Sequence, residues 1–267
     1  MDEKWSNICH ERSRLNLIPD HIFHTRMAST WILFTLMAAF MQAWRNAFQK
    51  QLSMTVDVYG VTLARFIFAL PFAVGYLSFL YLQQPAATPV RFSGKFWLYI
   101  AVAAFCQILA TILMVQLFKQ KNYAIGVGLA KSEAILAGLI GVALLGEYLS
   151  LLGWVGVVLG GVAVFLFSKG PANTKLSVST LAIGVGSGLS FAITSLLVRG
   201  AGLALENLPL LPRAGWVLCF VIGLQCISML LYLGLFSRHT LQAMWQRLGL
   251  TFKVSICSFL ASLGWFS

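Results

Sequence analysis

Eight apolar runs, each near the ~20 residues an α-helix needs to cross a bilayer, dominate this chain. They lie at 30–48, 58–82, 96–118, 123–145, 151–168, 179–199, 214–236 and 250–267. Most helix faces within them are apolar, so the helical period is weak. That suits helices facing lipid and lacks the strict alternation of membrane β-strands. Charged residues make up 10% of the 267 and hydrophobic residues 59%, whereas an ordinary soluble domain is about 25% charged. So few charges cannot cover a water-exposed surface, and a soluble fold of this composition would expose large apolar patches. The fold class that follows is an all-α integral membrane protein, with the lipid bilayer as its first partner.

Several function classes are excluded at this level. The formal net charge of +11 comes from lysines and arginines concentrated between the runs, where anionic headgroups would meet them. No basic water-soluble module is present, so no nucleic-acid partner is expected. Of the five cysteines, Cys106, Cys219, Cys226 and Cys257 sit inside apolar runs, and Cys9 lies before them. No CxxC or Cys/His spacing occurs, so the sequence calls for no metal, no cofactor and no disulfide framework. His239, read as a loop residue, is the only histidine after the N-terminal segment. With no acidic cluster around it, a membrane-embedded enzyme lacks its acid–base groups. The segment Gly126-Val127-Gly128-Leu129-Ala130-Lys131-Ser132 lacks the Gly-Lys step of a phosphate-binding loop and has no strand before it.

The chain divides into unequal parts. Residues 1–29 read as a polar tail; Met27 opens an apolar stretch, which raises the expectation that translation starts there. The segment Lys169-Gly170-Pro171-Ala172-Asn173 is a strong breaker, and residues 169–178 read as a linker between halves. The first half, 30–168, holds five runs; the second, 179–267, holds three. Each half has a helix led in by an arginine, Arg65 or Arg213, and a helix with a basic-aromatic lead, Lys95-Phe96-Trp97 or Trp245-Gln246-Arg247. Five is an odd number, so two consecutive five-helix bundles would be inverted relative to each other in the membrane. Ten helices are then expected and about eight are present. The distribution of Lys and Arg between the two faces nearly cancels, so charge bias does not set the orientation.

Three ionisable residues carry the site prediction. Lys131 and Glu133 lie within the fourth run, and Arg65 about seven residues into the second. Charge inside a spanning helix is expensive and usually faces a cavity or a partner. Two residues apart on one helix, Lys131 and Glu133 point in well-separated directions, so each needs its own partner: Arg65 for Glu133, or a substrate carboxylate for Lys131. Gly146-Glu147 closes the fourth helix, where the carboxylate reads as structural, tying the turn before Ser150. Arg45, in Trp44-Arg45-Asn46, reads as part of an interfacial belt. The spacings Gly156-x-x-x-Gly160 and Gly184-x-x-x-Gly188 allow close helix packing, with a dimer face as the weaker alternative.

The stretches Tyr123-Ala124-Ile125-Gly126-Val127-Gly128, Lys131-Ser132-Glu133, Leu145-Gly146-Glu147-Tyr148-Leu149-Ser150, Gly153-Trp154-Val155-Gly156 and Gly160-Gly161-Val162 together resemble the EamA family of the drug/metabolite transporter superfamily. Arg65-Phe66 is similar to that family as well. The resemblance implies two inverted five-helix repeats with both termini cytoplasmic, in a bacterial inner membrane. It also implies a central cavity, alternating access, and export of amino acids or other small metabolites. Lys131, Glu133 and Arg65 would then line the substrate or coupling site. The second repeat is expected to be incomplete, with one cavity wall open to lipid. Two readings therefore stand beside a self-sufficient transporter: a non-transporting fragment or helper subunit, or a chain completed by a dimer mate or by a partner supplying the missing helices.

Overall fold

A computed structural model describes residues 20–83, 90–119, 123–145, 148–168 and 177–266. Among these, regular structure is entirely helical, and four helices are long and apolar enough to cross a membrane by length and composition. The first helix, α1 (Asp20–Leu52), starts within the stretch expected to be a polar tail and runs four residues past the expected end of the first run. No glycine or proline interrupts residues 20–52, so the helix has no local reason to stop at the edge of its apolar part.

The second run is two helices, α2 (Val58–Ala64) and α3 (Ala69–Gln83), separated by turns over residues 65–68. Pro71, in the first turn of α3, explains the break. It has no N–H to give the carbonyl of Ile67, and its ring crowds that carbonyl. The chain here tightens into i→i+3 bonds, Arg65 N–H to Thr62 and Phe66 N–H to Leu63. Next comes α4 (Gly94–Lys119), an unbroken 26-residue helix. The fourth run is again broken, into α5 (Tyr123–Ala130) and α6 (Glu133–Leu145). At the break the Lys131 N–H is shared between the carbonyls of Val127 and Gly128, and the Ser132 N–H reaches Leu129. Gly126 and Gly128 weaken the helix just before this point.

The chain continues through α7 (Leu151–Ser168), α8 (Val178–Leu203) and α9 (Leu210–Phe236). A short helix, α10 (Arg238–Gln246), precedes α11 (Leu248–Phe266). His239 is thus helical rather than in a loop. Thr240 and Met244, one turn apart, are buried, and the opposite face presents Arg238, His239 and Trp245. That is an amphipathic helix lying against the bundle. Gly146 and Glu147 lie outside the described residues, as does the breaker at 169–173.

Two helix pairs make the most extensive interfaces, α4 with α8 and α1 with α11. Small residues allow this closeness: a Cβ on Gly264 of α11 would come within 2.8 Å of the Phe34 carbonyl oxygen of α1. The main core gathers Leu52, Val61, Leu63, Val115, Leu233 and Val254. At one end of the bundle Phe92, Phe96, Trp97, Trp216 and Phe220 form a continuous aromatic cluster. At the other end Lys119 lies 3.5 Å from Asp57, and the Lys50 ammonium donates to the Phe118 carbonyl. Leu33, Leu36, Leu159 and Leu166 are over half exposed, as residues facing hydrocarbon should be.

Candidate functional site

The two helix breaks face the same space. A cavity of about 220 Å³ opens between α1, the 65–68 turn, α4, the 131–132 turn, α6, α8, α9 and α11. Arg65, Lys131 and Glu133 all line it. Each charge sits where the local helix dipole favours it. Arg65 follows the C-terminus of α2, Lys131 follows the C-terminus of α5, and Glu133 is the first residue of α6. The break also changes the directional argument made from sequence. Lys131 and Glu133 are not two steps along one continuous helix, because the turn lets both line one cavity.

Their partners differ from the expected ones. The Lys131 ammonium donates to Gln42 Oε1 at 2.8 Å. Glu133 Oε1 accepts from the Ser195 hydroxyl at 2.9 Å. Among the described residues no ion pair joins Glu133 to Arg65, although the two are within electrostatic reach. Instead Arg65 donates from Nη1 to Thr111 Oγ1 at 2.9 Å, and its guanidinium carbon stands 5.7 Å from the Phe66 ring centre and 5.5 Å from that of Phe191. Those contacts hold the guanidinium plane without neutralising it.

Arg45 is the main residue that sequence reasoning misplaced. It is 3% exposed and lines the cavity, with Nε and Nη2 donating to Asn46 Oδ1 at 3.3 and 3.1 Å. Because α1 runs to Leu52, Arg45 is not at a helix end. Three glutamines were missed as well: Gln42, Gln107 and Gln225 all line the cavity. Gln225 Nε2 donates to Gln107 Oε1 at 2.7 Å, while Gln225 Oε1 is buried with no partner among the described residues. Gln107 is the fourteenth residue of 26 in α4 and Gln225 the sixteenth of 27 in α9, so this pair lies near mid-span. An amide in the middle of an apolar run was the available signal.

The cavity thus carries three cationic side chains and one carboxylate among the described residues. Its remaining lining is mixed, with Thr194 and Ser195 on one wall and Phe66, Ala69, Leu218 and Ile222 on others. Such a surface suits a small, partly apolar molecule bearing an anionic group.

Glycine spacing in α8 makes the broken segment fit. A Cβ on Gly184 would meet Leu129 at 2.6 Å. One on Gly188 would strike the Ser132 hydroxyl and approach the Glu133 nitrogen to 3.2 Å. The Gly184/Gly188 stripe therefore packs against the break itself.

Comparison with known proteins gives one family. The EamA-like transporter family matches residues 29–169, more than half of the chain. No individual curated protein matches it. The matched region takes in α2 to α7 and most of α1, with both helix breaks and Arg45, Arg65, Lys131 and Glu133. This helical, multi-pass membrane chain belongs to the EamA-like transporter family.

Proposed function

We propose that this protein is a secondary transporter of the bacterial inner membrane that exports small metabolites bearing an anionic group, such as amino acids or related compounds, by alternating access. The carrying observation is the cavity formed at two helix breaks, where Arg45, Arg65 and Lys131 face a single carboxylate, Glu133. Discontinuous helices that place dipole ends and unwound backbone near mid-membrane are a recurring construction for substrate sites in secondary transporters. An excess of two positive charges in a low-dielectric cavity attracts an anion and disfavours a cation of equal size. Glu133 either carries a coupled proton or fixes the orientation of the neighbouring cations.

An inverted repeat is part of the proposal. If α1 corresponds to α8, and α4 to α11, exchanging the halves turns the α4–α8 pair into the α11–α1 pair. These are the two most extensive helix interfaces, and α3 against α9, the pair that exchange carries onto itself, is also closely packed. This pattern supports two halves, 30–168 and 179–267, meeting around the cavity. Export as the direction rests on the family alone.

The test is uptake or counterflow of labelled small carboxylates into liposomes holding the purified chain. Loss of a charge-assisted hydrogen bond is worth roughly 1.5–3 kcal/mol, so Lys131→Met and Glu133→Gln should each slow transport at least about tenfold. Normal transport by both variants would remove this site. Failure to move any small anion, with correctly folded protein, would remove the substrate assignment.

A further inference from the structure

Lys131 lies on the wall of a second space. A groove of about 620 Å³, close to three times the volume of the polar cavity, runs between α5–α6 and α7. Its lining is apolar apart from Lys131: Val127, Ile135, Val157, Val164 and a row of glycines. A small pocket bounded by Gln42, Val127, Lys131 and Glu133 shares lining residues with both spaces. The outer face of α7 points to hydrocarbon, with Val158 62% and Leu159 63% exposed. Gly156 borders the groove, and a Cβ placed on it would meet nothing within 4 Å. A helix-packing glycine would instead meet its neighbour, as Gly184 and Gly188 do.

We propose that the substrates are amphiphilic anions, whose acidic head sits between Arg45, Arg65 and Lys131 while an apolar chain or ring lies in the α5–α6/α7 groove. This inference rests on the anion-cavity reading above and narrows it. Three features favour that occupant. Charge complementarity places the head, because the cationic excess lies on the cavity side of Lys131. Continuity places the tail, because Lys131 and Ala134 border both spaces. Chemistry excludes a polar tail, because an unpaired polar group in the apolar groove would forfeit its hydrogen bonds. A lysine suits the junction: its four-carbon stem packs against the apolar wall while the ammonium stays in the polar cavity. An amphiphile of this type also has a direct route of entry, sideways from the lipid leaflet along α7.

The experiment uses the full chain in lipid nanodiscs and a series of n-alkyl sulfonates from methanesulfonate to octanesulfonate, permanently charged probes of one head and varied tail. Binding is read from the concentration dependence of the unfolding midpoint. In the unmodified chain affinity should rise about three- to fourfold per methylene, the value for moving a methylene out of water. Gly156→Leu, whose Cβ meets open space and whose side chain occupies the groove, should abolish that dependence and leave methanesulfonate binding unchanged. Gly156→Ala should keep most of it. No dependence on tail length, or one that persists in Gly156→Leu, overturns the inference and assigns the groove to bilayer acyl chains. Methanesulfonate binding that is absent, or equal in the chain and in Lys131→Met, overturns the anion cavity itself, and the tail site falls with it.

Discussion

Arg65 shows how a buried cation can be held ready without being neutralised. Its guanidinium is gripped by one hydroxyl, Thr111 Oγ1, and by the faces of Phe66 and Phe191. Thr111 in turn donates to the Gln107 carbonyl at 2.8 Å, which fixes the direction of its lone pairs. Thr111→Val should therefore leave a buried guanidinium N–H without its acceptor. The cost is roughly 1–3 kcal/mol, measurable as a lowered unfolding midpoint in detergent. Arg65→Lys keeps the charge but loses the planar fork and the stack. It should fold normally and transport several-fold more slowly, with the loss seen in substrate affinity. An unchanged affinity would mean that Arg65 acts only in packing. Arg65, Lys131 and Glu133 were legible as candidates because charge inside an apolar run is costly. Arg45 was not, because hydropathy ends the first run at 48 while the helix continues to Leu52. The glutamines were hidden for another reason: one or two amides in an otherwise apolar run scarcely change its hydropathy, though they decide what a cavity wall offers.

At the scale of the element, the two breaks are the features that hydropathy cannot see. A sliding window averages across Arg65–Phe68 and across Lys131–Ser132, so each broken pair reads as one span. Pro71 was a local signal for the first break. The second has no proline, and it depends on tertiary fit: Gly188 of α8 leaves room for the Ser132 hydroxyl and for the start of α6. That dependence is testable. Gly188→Ala introduces a methyl where Ser132 Oγ stands, and overpacking of this kind typically costs roughly 1–3 kcal/mol. Ser132→Ala in the same chain removes the colliding atom, so the double variant should recover much of the loss in a double-mutant cycle. Additive losses would show that α8 does not press on the break. Gly156→Ala, on a helix of similar composition, should be close to neutral, because its Cβ meets open space. The contrast separates a packing glycine from a groove glycine, a distinction that the repeated Gly-x-x-x-Gly spacing does not make.

Over the whole molecule, the number of membrane crossings links residues far apart in sequence. If each apolar run crosses, the chain from Ser93 to Ser237 makes five crossings, through α4, α5–α6, α7, α8 and α9, which puts these two residues on opposite faces of the membrane. From Asp57 to Ser237 it makes six, so these two belong on the same face. The packing agrees, since a Cβ on Gly60, just after Asp57, would lie 2.7 Å from a methyl of Thr240 in α10. The prediction holds whichever way the protein is oriented, so it does not need the charge bias that the sequence fails to provide. In a chain with its native cysteines replaced, single cysteines at Asp57 and Ser237 should react with an impermeant maleimide from one face, and a cysteine at Ser93 from the other. The informative element is α5–α6, a span that hydropathy reads as continuous but that two charges interrupt at the break. If Ser93 and Ser237 label from the same face, one of the five segments does not cross, and α5–α6 is the first suspect. Arg45, Arg65, Lys131 and Glu133 would then no longer meet inside the membrane, and the anion cavity would lose its basis. If they label from opposite faces, α5–α6 and α7 cross as a pair or not at all; when they cross, the charges at the break are held within the membrane, where the Gln42 and Ser195 hydrogen bonds and the cavity must satisfy them.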